Sequence, residues 1–179
     1  MVDLKTKYDD AKKVAVIVSR EIKVTKRDYE AVQTITNGQF GYFAITGLIE
    51  LRKGSITGLN LSGLEVQASD LLPDLANLTS LERLNLSHNP LKNLPGCIGK
   101  LKNLKELYIS HTQLTSLPEW TERLISLEEL YAGFSEIKYL PKSMKRMKSL
   151  EYFVIRSNPL DDKAKALIRE LKKSGVKIV

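Results

Sequence analysis

Residues 81–160 read LERLNLSHNPLKNLPGCIGKLKN (81–103), LKELYISHTQLTSLPEWTERLIS (104–126), LEELYAGFSEIKYLPKSMKRMKS (127–149) and LEYFVIRSNPL (150–160). One pattern returns every 23 residues. A fixed period of this length describes a solenoid, because a single unit cannot bury its own apolar face and must stack on its neighbours. Within a copy the first, fourth and sixth places are apolar: Leu81, Leu84, Leu86; Leu104, Leu107, Ile109; Leu127, Leu130, Ala132; Leu150, Phe153, Ile155. Alternation around the fourth place predicts a short strand, with Leu84 and Leu86 pointing inward and Arg83, Asn85 and Ser87 outward. The ninth place holds Asn89, Thr112, Ser135 and Asn158, side chains that can bond backbone groups where the chain leaves the strand. Leu-Pro then recurs at 94–95, 117–118 and 140–141, and proline predicts an extended return on the convex side.

The pattern resembles the 23-residue class LxxLxLxxNxLxxLPxxIxxLxx of the leucine-rich repeat family, known from bacterial, archaeal and Ras-group proteins. Thr121 and Met144 stand where Ile98 does, Thr112 and Ser135 replace Asn, and Ala132 replaces Leu. The smaller Ala132 predicts that Phe134 or Phe153 fills that layer of the core. The resemblance implies an α/β fold: a right-handed, curved leucine-rich repeat solenoid with a parallel concave sheet. It also implies that a partner is recognised on the concave face.

Outside the repeats the chain divides into an N-terminal cap (1–55), the repeats (56–160) and a C-terminal cap (161–179). Tyr8, Ala11, Val14, Ala15, Val18 and Ile22 fall at helical spacing and predict a first helix over about 3–22, although Val16-Ile17-Val18 also suits a strand. Thr25 and Asp28 read as the start of a second helix that ends at Asn37-Gly38. The segments Phe40 to Ile45 and Leu48 to Leu51 are extended in composition. Arg52-Lys53-Gly54 predicts a turn, so a hairpin feeds the first repeat strand. That first repeat, opened by Ile56, is atypical: it runs 25 residues to Leu81, and Leu71 to Leu78 recovers the Leu-Pro signature. Asp161-Asp162 opens a helix carrying Ala164, Leu167, Ile168 and Leu171, and Val176 to Val179 reads as a last strand.

Stacked strands about 4.8 Å apart turn outward residues into ladders. One runs Gly58, Arg83, Glu106, Glu129, Tyr152, and the next Asn60, Asn85, Tyr108, Tyr131, Val154. Beside them lie Ser62, Ser87, Ser110, Gly133, Arg156 and then Gly63, His88, His111, Phe134, Ser157. Arg83, Asn85, Glu106, Tyr108, His111, Glu129, Tyr131, Phe134, Tyr152, Val154 and Arg156 are therefore the candidate partner-binding residues. Aromatics flanked by charges have the composition of a protein-binding hot spot. Tyrosine also favours strands for packing reasons alone, which is the competing explanation.

Chemistry is poorly represented. His88 and His111 are ladder neighbours, but zinc wants a third or fourth ligand and the flanking places hold Gly63 and Phe134. Glu106 and Glu129 beside Arg83 read as a charge ladder more than an acid/base pair. No hydroxyl nucleophile with a histidine and an acid, and no glycine-rich phosphate loop, is visible. The expectation is a non-enzymatic module with no cofactor and no metal. Cys97 and Trp120 share a convex place, where a quiet cysteine and a packing or contact residue are expected.

The chain carries 28 Lys and Arg against 21 Asp and Glu, a net charge of +7. That excess admits a rival, salt-sensitive reading in which nucleic acid or an anionic membrane binds the basic edge of Lys138, Lys142, Lys145, Arg146 and Lys148. Lysines are otherwise spread out, so protein is the favoured partner. No apolar run reaches the roughly 18 residues a membrane span needs, no signal-like segment opens the chain, and one cysteine cannot form an internal disulfide. A monomer in the cytoplasm fits best. If the register is right, Leu107→Ala and Leu130→Ala each cost roughly 2 to 5 kcal/mol in urea unfolding, far more than an outward substitution.

Overall fold

The alternation around Leu84, Leu107, Leu130 and Phe153 becomes four three-residue strands in the computed structural model: β6 (Arg83–Asn85), β7 (Glu106–Tyr108), β8 (Glu129–Tyr131) and β9 (Tyr152–Val154). The structure describes residues 6–9, 14–17, 20–35, 47–68 and 73–179. Ahead of the four strands stand β4 (Ile49–Arg52) and β5 (Ser55–Asn60), and β10 (Lys177–Ile178) follows them. The order is β4-β5-β6-β7-β8-β9-β10 in one open sheet. All neighbours from β5 to β10 are parallel, and β4 closes the N-terminal edge antiparallel to β5.

Register follows the 23-residue period. Gly58, Arg83, Glu106, Glu129, Tyr152 and Lys177 align in one row, and Leu59, Leu84, Leu107, Leu130, Phe153 and Ile178 in the next. From Leu59 to Phe153 the second row is at most 2 % exposed. Of the two candidates to compensate for Ala132, Phe153 is fully buried, whereas Phe134 is 44 % exposed.

The convex return differs from the expectation. The chain is extended only as far as each proline, with φ near −70° at Pro95, Pro118 and Pro141. It then winds into a five-residue 3-10 turn: Gly96–Lys100, Glu119–Arg123 and Lys142–Arg146, with Pro73–Asn77 in the first repeat. The proline carbonyl itself starts each of the later three turns, accepting from the amides of Ile98, Thr121 and Met144 at 3.0 to 3.2 Å. Those three side chains, the places where isoleucine is usual, point into the core. Proline lacks a donor, but its carbonyl accepts freely, and that is what a turn needs from its first residue.

Two polar devices tie the layers together. The amide nitrogen of Asn89 donates to the carbonyls of Leu61, Leu86 and Ser87 at 2.8 to 3.2 Å, while its oxygen accepts from the Val66 amide at 2.9 Å. Asn158 repeats the arrangement with Ala132, Ile155, Arg156 and the Ile137 amide. Between them the shorter Thr112 and Ser135 hydroxyls bond each other across the layers at 3.1 Å, and Thr112 also donates to its own strand end, the Ile109 carbonyl, at 3.0 Å.

The N-terminal segment is corrected. Where a helix over 3–22 was expected, β1 (Thr6–Asp9), β2 (Val14–Ile17) and β3 (Arg20–Lys23) form an antiparallel sheet. The β-branched Val14-Ala15-Val16-Ile17 stretch outweighs the helical spacing, since branching at Cβ restricts the rotamers a helix allows. Helix α1 (Lys26–Ile35) follows, its first turn fastened by the Asp28 amide donating to Thr25 Oγ1 at 3.2 Å. The fully buried Asp28 carboxylate accepts from the Ile56 amide at 2.7 Å, clamping α1 to the first repeat strand. The extended segment expected at Phe40 to Ile45 lies outside the described residues. At the other end, Asp161 accepts from the Ala164 amide at 2.7 Å and caps α2 (Asp162–Lys173). Ala164, Leu167 and Leu171 of α2 cover the last layer.

Asn89→Ala leaves three carbonyls and an amide without their partner, and about 2 to 4 kcal/mol is the expected loss in urea unfolding. Thr112→Ala, which removes a single hydroxyl, is expected to cost about 1 kcal/mol.

Candidate functional site

The concave row that begins at Gly58 is an electrostatic ladder. Arg83 forks onto Glu106, with Nε to Oε2 and Nη2 to Oε1 both at 2.8 Å, and its Nη1 reaches Glu50 Oε1 at 2.7 Å. Glu50 comes from β4, outside the repeat period, and its side chain lies across Gly58. A Cβ at position 58 would stand 2.7 Å from Glu50 Cδ, so only glycine leaves Glu50 room to reach Arg83. Hydrogen bonding to Arg83 is the main cause that holds the Glu106 carboxyl below its usual range. The same pair raises the Arg83 guanidinium further, so both stay charged.

Glu129 follows Glu106 in the row and meets no cation among the described residues. What it does meet is the Tyr131 hydroxyl, which donates to Glu129 Oε2 at 2.5 Å, as the Tyr108 hydroxyl does to Glu106 Oε2 at 2.7 Å. Residues two apart on a strand share a face, so a glutamate and the tyrosine after it can always pair this way. The outcome is a pair of rings held in one orientation. Tyr108 and Tyr131 stack at 4.4 Å with planes 9° apart, and Tyr152 packs diagonally on Tyr131 at 5.6 Å. Lys177 Nζ caps the Tyr152 ring at 5.3 Å. The carboxylate keeps the Tyr131 phenol neutral, pushed up to about 12, and burial together with Glu106 raises Tyr108 as well.

A second row runs along the strand exits. Gly63, His88, His111, Phe134 and Ser157 all have φ between 53° and 68°, in the left-handed region. Five residues of four types share one left-handed corner because each repeat must leave its strand there, before the ninth place. The rings stack: His88 on His111 at 4.4 Å, His111 on Phe134 at 4.9 Å, and Arg156 over Phe134 at 5.0 Å. The histidine planes are 10° from parallel, face to face. Among the described residues no group of three or more His, Cys, Asp or Glu is arranged to hold a metal.

The structure thus brings together Arg83, Glu106, Tyr108, Glu129, Tyr131 and Tyr152 in one patch, and His111, Phe134 and Arg156 in an adjoining row, with Val154 next to Tyr131 in register. Asn85 stands apart in role: its oxygen accepts from the Ser87 amide at 3.0 Å and braces its own turn. Ser87, expected outward, is only 7 % exposed. Glu50 and Lys177 escaped the sequence reading. Neither lies in a full repeat, so no periodicity marks it.

The basic cluster is partly neutralised, since Lys145 pairs with Glu170 and Arg146 with Glu122. Burial pushes the half-buried Cys97 thiol up, away from the reactive thiolate.

The sequence profile of the leucine-rich repeat region matches residues 56–174. The chain belongs to the leucine-rich repeat family. Among solved structures, a leucine-rich repeat protein of Leptospira interrogans is 27 % identical, over 60 % of this chain and 33 % of that one, at TM-score 0.48. TLR13 in its complex with ssRNA13 is 25 % identical, over 68 % and 18 %, at TM-score 0.58. InlP of Listeria monocytogenes is 22 % identical, over 62 % and 32 %, at TM-score 0.51, a likeness of fold alone. The chain spans 33 % or less of the length of these proteins. No curated protein matches it. Leucine-rich repeat proteins are typically non-enzymatic interaction modules and usually bind protein partners. Among the described residues no helix is long and apolar enough to cross a membrane.

A raised phenol stabilises the fold below the ordinary tyrosine value of about 10 and loses that contribution as pH climbs through the folded value. Alkaline titration of the phenolate absorbance is therefore expected to show Tyr131 ionising near 12 in the wild type. In Glu129→Gln it is expected to move down toward about 10.

Proposed function

We propose that this chain is a monomeric, non-enzymatic interaction module that binds another protein through the concave face of its repeat sheet, in the cytoplasm. The observation that carries the reading is the Tyr108–Tyr131 stack with both hydroxyls anchored on glutamates. Rings already fixed in place lose little freedom on binding, so contact area there converts efficiently into affinity. Tyrosine and arginine are the residues that most often dominate interfaces, and this patch concentrates both. Glu129, without a cation of its own, adds a specific demand: the partner's contact surface carries a lysine or arginine that meets it. The one cysteine of the sequence, Cys97, has no second cysteine to pair with, which suits a reducing compartment.

The test is to isolate the retained protein from lysate of the source cell and titrate it, purified, against wild type and the Tyr108→Ala/Tyr131→Ala variant. The variant is expected to weaken the complex by roughly 2 kcal/mol or more while keeping its unfolding midpoint. An unchanged Kd removes the concave site. Retention that survives in the variant and vanishes only with salt assigns binding to the basic edge at Lys138 to Lys148 instead.

A further inference from the structure

At the entry ends of the strands, opposite the His88 corner row, the period builds something the concave patch does not use. Two places of the repeat line up there: Ser55, Ser80, Asn103 and Ser126, and, two residues further on, Thr57, Glu82 and Lys105. The turn of the β4–β5 hairpin adds Arg52 and Lys53. Together they line an open cleft of about 440 Å³, and every lining residue is polar or charged. That volume suits a small ligand, and every lining residue offers it a polar group.

The charges leave a positive excess. Three cations face one carboxylate, Glu82, which is divided between Arg52 Nη1 at 3.4 Å and Lys105 Nζ at 3.1 Å. Lys53 has no ion-pair partner among the described residues. It sits at φ 51° ahead of Gly54 at φ 82°, in a two-residue turn whose geometry both positive angles define, and the Thr25 amide holds that turn by donating to the Gly54 carbonyl at 2.7 Å.

The hydroxyls are the second, independent observation. Thr57 is only 9 % exposed, lines the cleft, and its hydroxyl has no hydrogen-bond partner among the described residues. The Thr57 hydroxyl is reached by solvent and stands open to the cleft as an available donor. Ser80 and Ser126 likewise have no hydroxyl partner among the described residues, whereas Ser149, at the same repeat place beyond the cleft, gives its hydroxyl to the Ile125 carbonyl at 2.7 Å. Donors and cations with one shared acid call for an oxygen-rich anion.

We propose that this cleft binds the phosphate of a small phosphorylated molecule, held by Lys53, Arg52 and Lys105 with the Thr57 and serine hydroxyls donating to its oxygens. Glu82 is then a competitor that the ligand partly displaces from Arg52 and Lys105.

The probes are glycerol 3-phosphate and inorganic phosphate, titrated into the full chain by NMR with ionic strength held constant by potassium chloride. Saturable shifts at Lys53, Thr57, Ser80 and Lys105 are expected. Lys53→Ala, in an exposed turn, is expected to weaken binding about tenfold, as loss of one charge-assisted contact does. Thr57→Val is expected to weaken it several-fold, and Glu82→Gln to tighten it by removing the competing carboxylate. Lys148→Ala, outside the cleft, leaves it unchanged. The proposal is overturned if chloride alone reproduces the shifts, if Lys148→Ala weakens binding as much as Lys53→Ala, or if Glu82→Gln weakens it while thermal unfolding shows the variant folded.

Discussion

Every repeat has to leave its strand at the same corner, and the backbone groups stranded there must be paired inside a dry core. Asn89 meets that demand with one side chain, binding carbonyls of its own strand exit and of the previous layer, and Asn158 repeats it. An unpaired buried carbonyl costs more than a hydrogen bond gains, so the constraint is stricter than the size of any one bond suggests. Register follows from it. Once the corners stack, Leu84 must sit on Leu107 and Leu107 on Leu130, and the outward rows are set without further specification. In the middle repeats Thr112 and Ser135 join neighbouring layers with fewer bonds than asparagine makes, and the packed leucines and the strand ladder carry more of the load.

The concave rows inherit this geometry, and their chemistry comes from what the period juxtaposes. Adjacent carboxylates at 106 and 129 would repel across parallel strands. Arg83 relieves the first by a bidentate pair, and tyrosine hydroxyls take up an oxygen of each. The same hydrogen bonds that ease the repulsion also lock the rings, so an electrostatic problem in the sheet and a rigid aromatic surface have one solution.

The repeats were legible because their signal is long-range and redundant: a wrong residue such as Ala132 or Thr112 is outvoted by its counterparts. Strand registers, outward ladders and the buried places of Ile98, Thr121 and Met144 all follow from counting. Where counting fails, other physics decides. The 3-10 turns after Pro95, Pro118 and Pro141 depend on a carbonyl acceptor, while the sequence advertises proline chiefly as a missing donor. Residues 14–17 carry both helical spacing and Cβ branching, and the branching prevails. Glu50 reaches Arg83 only because Gly58 has no side chain, a contact that neither residue announces.

The net charge of +7 is a poor guide to what each surface can hold. On the concave face Arg83 is consumed by two carboxylates and Glu129 is left over, so that face is acidic at its centre although the protein is basic. Along the convex edge Glu122 and Glu170 neutralise Arg146 and Lys145. At the entry ends of the strands, Lys53 meets no acid among the described residues and stands beside hydroxyls that have no partner among them. A polyanion as long as a nucleic acid would need many phosphates satisfied along a track. The cleft at Lys53 instead sets three cations around one carboxylate in a bounded space, and such a cleft can satisfy one phosphate, not a chain of them.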